Sequence, residues 1–134
     1  MRIEQVGIVG AGTMGNGIAQ TAAVAGLKVV MIDVTDAALS RGVASLSNSL
    51  ERLVTKGKLG LDARAAALAR IETSTGYQRL ADVDLVIEAA TENHDLKVSI
   101  LRQIESVARA GAIIASNTPS ISITALAADS RRIA

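Results

Sequence analysis

The chain has 134 residues, 49% of them hydrophobic, and its 14 basic and 13 acidic side chains leave a net charge of +1. That length is enough for one domain with a buried core. The near-zero charge steers no polyanion to the surface, and a single aromatic residue, Tyr77, is too few for the row of stacked bases that a nucleic-acid platform needs, so no nucleic-acid partner is expected. The absence of cysteine excludes disulfides, thiolate metal sites and a cysteine nucleophile. No segment reads as a secretory leader or as an apolar run long enough for a membrane, so the expectation is a cytoplasmic protein with no membrane partner.

In chain order, Ile3 to Val9 is a β-branched run that predicts a first strand, followed by glycine-rich sequence. Met14, Ile18, Ala22 and Ala25 fall on one face of a helix that stops at Gly26. Val29 to Ile32 predicts a second buried strand, ending at Asp33. Leu39, Val43, Leu46, Leu50, Leu53 and Val54 form a long helical stripe, broken at Lys56 to Gly60. Asp62 is placed to cap a short alanine-rich helix reaching about Arg70. Strands follow at Ile71 to Ser74 and Asp84 to Glu88, with Asp82 and Asp84 read as turn residues. A helix carrying Leu96, Ile100, Leu101, Ile104, Val107 and Ala108 stops at Gly111, before a fifth strand at Ala112 to Ser116 and a short helix after Ser122. Strand and helix alternate throughout. The fold class expected is therefore α/β, a Rossmann-type doubly wound, mostly parallel sheet with helices on both faces. One domain spanning 1–134 is expected.

Gly10-Ala11-Gly12-Thr13-Met14-Gly15 fits G-x-G-x-x-G between a predicted strand and a predicted helix. In that context the first glycine makes the turn, the second lets a pyrophosphate approach the backbone, and the third lets the helix pack closely. The helix N-terminus then offers unpaired N–H groups and a partial positive charge to the phosphates. Asp33 stands 18 residues beyond Gly15, near the spacing of the acidic residue that accepts from the ribose 2′-hydroxyl. A carboxylate there repels a 2′-phosphate, and no arginine directly follows it, so NAD is the expected cofactor rather than NADP. FAD shares the fingerprint. So does a bland reading in which the glycines only make a turn and Asp33 caps the next helix.

Several stretches together resemble the 3-hydroxyacyl-CoA dehydrogenase family. They are Val6 to Gly15, Asp84-Leu85-Val86-Ile87-Glu88-Ala89, Thr91-Glu92-Asn93 with Lys97, and Ala115-Ser116-Asn117-Thr118. The resemblance covers essentially the whole chain. It implies an NAD site formed by Gly10, Ala11, Gly12, Thr13, Met14, Gly15 and Asp33, with Glu92 and Lys97 lining the nicotinamide half. It also implies that Ser49 and Lys56 contact the coenzyme A part of an acyl-CoA substrate, the partner expected of the full-length enzyme. Arg52 and Lys58 beside Lys56 suit an acyl-CoA phosphate. The reaction implied is (S)-3-hydroxyacyl-CoA plus NAD to 3-oxoacyl-CoA plus NADH.

Two features depart from the family pattern. Pro119 stands where the family has a substrate-binding serine, with Ser120 beside it. The catalytic histidine and its orienting glutamate belong to sequence past Ala134, as does the helical C-terminal domain that usually forms the dimer. The expectation is thus a domain truncated before that helical domain, binding NAD without turnover and with no catalytic residue of its own. Bare apolar surface would then drive self-association into a homo-oligomer. The one histidine, His94, is expected to be solvated or capping, with no partner for a metal. Glu88 and Glu92 are not expected to act as a carboxylate pair. A stand-alone dinucleotide-binding module, or the NAD domain of a β-hydroxyacid dehydrogenase acting on free acids, is the alternative reading.

Overall fold

The computed structural model describes residues 3–90 and 93–116. Glu92, the Asn117-Thr118-Pro119-Ser120 stretch and the helix expected after Ser122 lie outside the described residues. Five strands, β1 (Gln5–Val9), β2 (Lys28–Ile32), β3 (Ile71–Ser74), β4 (Leu85–Glu88) and β5 (Ile113–Ser116), pair in parallel in the order β3-β2-β1-β4-β5. Four α-helices connect them: α1 (Thr13–Val24), α2 (Asp36–Thr55), α3 (Leu61–Ala69) and α4 (His94–Val107). A 3-10 helix at Tyr77–Asp82, absent from the sequence reading, carries the chain from β3 across to β4. The order of strands reverses direction at β1, and the crevice between the carboxyl ends of β1 and β4 is where such sheets take ligands.

The core forms two layers, one on each face of the sheet. Val6, Ile8, Val29 and Met31 join Ala19, Ala23, Leu39, Leu46 and Leu50 from α1 and α2 on one face. Val9, Val30, Ile32 and Val86 join Leu80 and, from α4, Leu101 and Ile104 on the other. Strands that bury alternate residues against both layers must be apolar at nearly every position, which is why they read as unbroken β-branched runs.

Helix faces differ from the expected stripes in two places. The buried residues of α1 are Gly15, Asn16, Ala19 and Ala23, not the Met14-Ile18-Ala22-Ala25 row. That row borders an open apolar hollow shared with Leu85 and Ile87, and Met14 is 57% exposed. On α2 the packed positions are Leu39, Gly42, Leu46 and Leu50, with Val43 displaced from the centre of the face. Gly42 takes that place because a Cβ there would meet the Ala11 carbonyl oxygen at 2.8 Å, so α2 lies tight against the glycine turn.

End groups settle how three of the helices begin. Thr35 caps α2, its side chain accepting from the Ala38 N–H at 3.1 Å, which removes the bland alternative in which Asp33 does so. Gly60 is the cap position of α3, and Asp62 sits in the first turn instead. Asn93 caps α4 through Oδ1, which accepts from the Leu96 N–H at 2.9 Å. Asp84 does more than turn the chain. Its Oδ2 accepts from the N–H groups of Glu4 and Gln5 at 2.8 and 3.0 Å, and Oδ1 accepts from Arg109 at 2.5 Å. It thereby ties the start of β1 to β4 and to the end of α4. These bonds, the backbone ones first, pull its carboxyl pKa down to about 2.

Candidate functional site

The glycine turn begins where β1 ends. Gly10 has φ +113°, which only glycine adopts without strain. Its N–H donates to the Ile32 carbonyl at 2.7 Å, locking the turn to the end of β2, and a Cβ would press on the Ala90 backbone at 2.8 Å. A Cβ on Gly15 would fall on the Gly10 carbonyl oxygen, so α1 crosses directly under the turn. Gly12 is different. No atom lies within 4 Å of where its Cβ would stand, and it forms the cap of α1 without a side-chain hydrogen bond. Whereas α2, α3 and α4 each carry an aspartate in the first turn, α1 carries no acidic residue there. Its positive end is left for an anion from outside.

Asp33 lies half-buried beside this turn. Oδ2 accepts from the Ala11 N–H at 2.8 Å and Oδ1 from the Val34 N–H at 2.7 Å. A carboxylate has about four acceptor positions, so two remain for a ligand's hydroxyls. The carboxylate is thus fixed by the backbone it serves. Between α1 and α2 runs a polar hollow of about 330 Å³ that takes in Gly12, Thr13, Asn16, Asp33, Arg41 and Ser45. Asn16 is 8% exposed, and its Oδ1 is buried without a hydrogen-bond partner. Such an acceptor calls for a donor, which a hydroxyl or a water entering the hollow supplies. Nothing in the residue pattern singled out Asn16. Its significance rests on burial against α2.

A second hollow of about 350 Å³ opens on the other side of Asp33. Gly10, Val34, Ala90, Leu96, Ile100 and Tyr77 border it. Burial first, then the carboxylates of Glu88 and Asp33, push the Tyr77 phenol pKa up, so it stays protonated.

The far end of the crevice is built on a buried ion pair. The side chains of Lys97 and Glu88 are both fully buried, and Lys97 Nζ donates to Glu88 Oε1. Ser116 closes the cluster, accepting from Nζ at 3.4 Å and donating to the same carboxylate oxygen at 3.2 Å. Glu88 Oε2 accepts from the Ala90 N–H at 2.7 Å. The structure thus puts the sequence-selected Lys97 under the ends of β4 and β5, bound to a glutamate that the sequence reading placed in a family stretch at a strand end and gave no role. Glu92, its expected companion, lies outside the described residues.

Ser49 and Lys56 are not part of this crevice. Ser49 stands on α2 and Lys56 is the residue that caps its end, seven residues on, which places them on one face about two turns apart. Lys56 ends the 20-residue helix, about 30 Å along its axis from the end near Asp33. Among the described residues no helix is long and apolar enough to cross a membrane, and no group of three or more His, Cys, Asp or Glu residues could hold a metal ion.

The glycine turn, the acceptor at the end of β2 and the strand order fit a dinucleotide, and comparison with known proteins agrees. The family model for the 3-hydroxyacyl-CoA dehydrogenase NAD binding domain matches residues 5–134. A 3-hydroxybutyryl-CoA dehydrogenase of Bradyrhizobium diazoefficiens is 45% identical over 130 residues, 97% of this chain and 44% of that protein. The crystal structure of (S)-3-hydroxybutyryl-CoA dehydrogenase PaaH1 from Ralstonia eutropha is 60% identical and superposes with a TM-score of 0.94, over 96% of this chain and 46% of that one. FadB2 of M. tuberculosis superposes with a TM-score of 0.96 at 37% identity, over 99% of this chain and 48% of that one. The chain thus spans about half the length of these relatives. It belongs to the 3-hydroxyacyl-CoA dehydrogenase family and corresponds to its NAD-binding domain.

Proposed function

We propose that these 134 residues hold NAD across the crevice for the interconversion of (S)-3-hydroxyacyl-CoA and 3-oxoacyl-CoA, as the cofactor half of that enzyme. The open space over Gly12 at the uncapped end of α1 carries the reading. The α1 N–H groups and Gly12 hold the pyrophosphate. Asp33 accepts from the ribose hydroxyls and turns away a 2′-phosphate. Lys97, held by Glu88 and Ser116, and Glu92 set the nicotinamide end. Ser49 and Lys56 meet the coenzyme A portion. NAD supplies the hydride acceptance at substrate C3, and the protein supplies binding and orientation.

Oxidation of the substrate also requires a base for the hydroxyl proton. The one histidine, His94, opens α4 and does not match the family's base. We therefore assign binding without turnover to these residues taken alone; a cytoplasmic setting for the enzyme is a separate part of the proposal. Self-association into a homo-oligomer is assigned to the apolar hollow along α1, bordered by Met14, Ile18, Ala22 and Leu85.

An NADH fluorescence titration tests the assignment, with NADPH as competitor and acetoacetyl-CoA added last. Saturable binding, poor displacement by NADPH and no NADH consumption are expected. Equal competition by NADPH would remove the role given to Asp33. NADH oxidation above the buffer rate would show a base within the chain.

A further inference from the structure

We propose that Tyr77 is an adenine-recognition residue, forming the aromatic wall against which the base of the dinucleotide packs. The proposal rests on the NAD reading above and extends it to a residue that neither the fingerprint nor the family motifs include.

Three observations carry it. Tyr77 is the chain's only aromatic side chain, and it stands in the 3-10 helix between β3 and β4 rather than in the centre of either core layer. It is half-buried. It packs against the layer containing Ile32, Leu80 and Ile100, and it also borders the hollow beside Asp33. The rim of that hollow is unusually apolar: Val34 is 85% exposed and Leu96 is 52% exposed, two large hydrophobic side chains open to solvent on either side of it.

The same hollow contains Asp33, the position assigned to the ribose, and Gly10, which opens the glycine turn, so it adjoins the ribose end of the site. A dinucleotide held there has its base as the next group along, and the base is flat and apolar on both faces. Val34 and Leu96 supply aliphatic edges, and the Tyr77 ring supplies the surface on which a heterocycle gains most. The protonated phenol adds no charge to repel the ligand. A wholly structural Tyr77 would explain the packing but not the exposed apolar rim facing it.

The experiment uses the whole chain with ADP-ribose, which carries adenine without nicotinamide, and NMNH, which carries nicotinamide without adenine. With no tryptophan present, protein emission comes from Tyr77 alone. Saturating ADP-ribose is expected to quench that emission, and NMNH to leave it nearly unchanged. Tyr77→Ala should weaken ADP-ribose binding about tenfold, and Tyr77→Phe should retain it. Should the alanine variant fail to fold, Tyr77→Leu keeps the apolar volume and is expected to bind ADP-ribose several-fold more weakly. A folded Ala or Leu variant that binds ADP-ribose as tightly as wild type would overturn the proposal. So would unchanged emission at saturation. Wild-type protein that binds neither ADP-ribose nor NADH would overturn the NAD reading itself, an outcome distinct from binding that ignores Tyr77.

Discussion

The two ends of the crevice are made of different materials. At the β1–β2 end the site is backbone: a glycine turn, a helix terminus and one carboxylate held by two N–H groups. At the β4–β5 end it is a cluster of side chains, in which Lys97 from α4 meets Glu88 from β4, both wholly out of solvent, beside a partly buried Ser116 from β5. A backbone site needs small residues at fixed spacing, and its partners are neighbours in sequence or one strand away. A buried ion pair needs two long side chains to find each other across 9 residues, and its stability depends on each having the other.

That contrast sets the largest expected effect. Lys97→Met alone leaves Glu88 buried without its cation and should cost about 3–5 kcal/mol in urea unfolding. Adding Glu88→Gln should recover much of the loss, since a paired charge is expensive mainly when one member is removed. A single Lys97→Met variant as stable as wild type would mean that the pair is solvated in solution. The glycine turn should divide more finely. Gly15→Ala drives a methyl group into the Gly10 carbonyl and is expected to cost about 3 kcal/mol, read by the same unfolding curves.

Asp33→Asn sharpens the comparison from the ligand side. The variant keeps the shape of the carboxylate but not its charge, so NADPH should compete far better against NADH than with wild type, by about tenfold in relative affinity. The smallest effect belongs to Asp84, remote from the crevice. Its folded pKa is lowered to about 2 from 3.8, so its contribution to stability is complete above about pH 4. The contribution is lost as the pH falls from there toward 2, because protonation of the folded state then removes the advantage. Unfolding midpoints of wild type and Asp84→Asn should converge over that window and stay apart at neutral pH.

The same contrast explains what the sequence made legible. The local geometry at Gly10, Gly12, Gly15 and Asp33 was readable because it follows from a missing Cβ or from a chain position. Strand positions were readable because burial on both faces leaves unbroken apolar runs. Helix faces were less so: Met14, Ile18, Ala22 and Ala25 have the right period, but the packed face of α1 is set by the close approach of Gly15 and Ala19 to the sheet and turn. Small residues carry that contact, and a hydrophobic stripe does not register them. Asn16 and Tyr77 gave no signal of a site, and Glu88 stood in a family stretch without a role, because what they do depends on partners brought in by the sheet order. Glu88 at the end of a strand is an ordinary sight until Lys97 folds over it.

The most direct measurement takes Gly12→Ala and reads NADH binding and unfolding on the same preparation. Open space around Gly12, and its ordinary φ of −72°, predict a variant within about 0.5 kcal/mol of wild-type stability. The added methyl group would stand where the pyrophosphate must approach, so NADH affinity should fall at least about tenfold. Undiminished binding, or stability and binding lost together, would contradict a phosphate site built on the bare backbone of this turn.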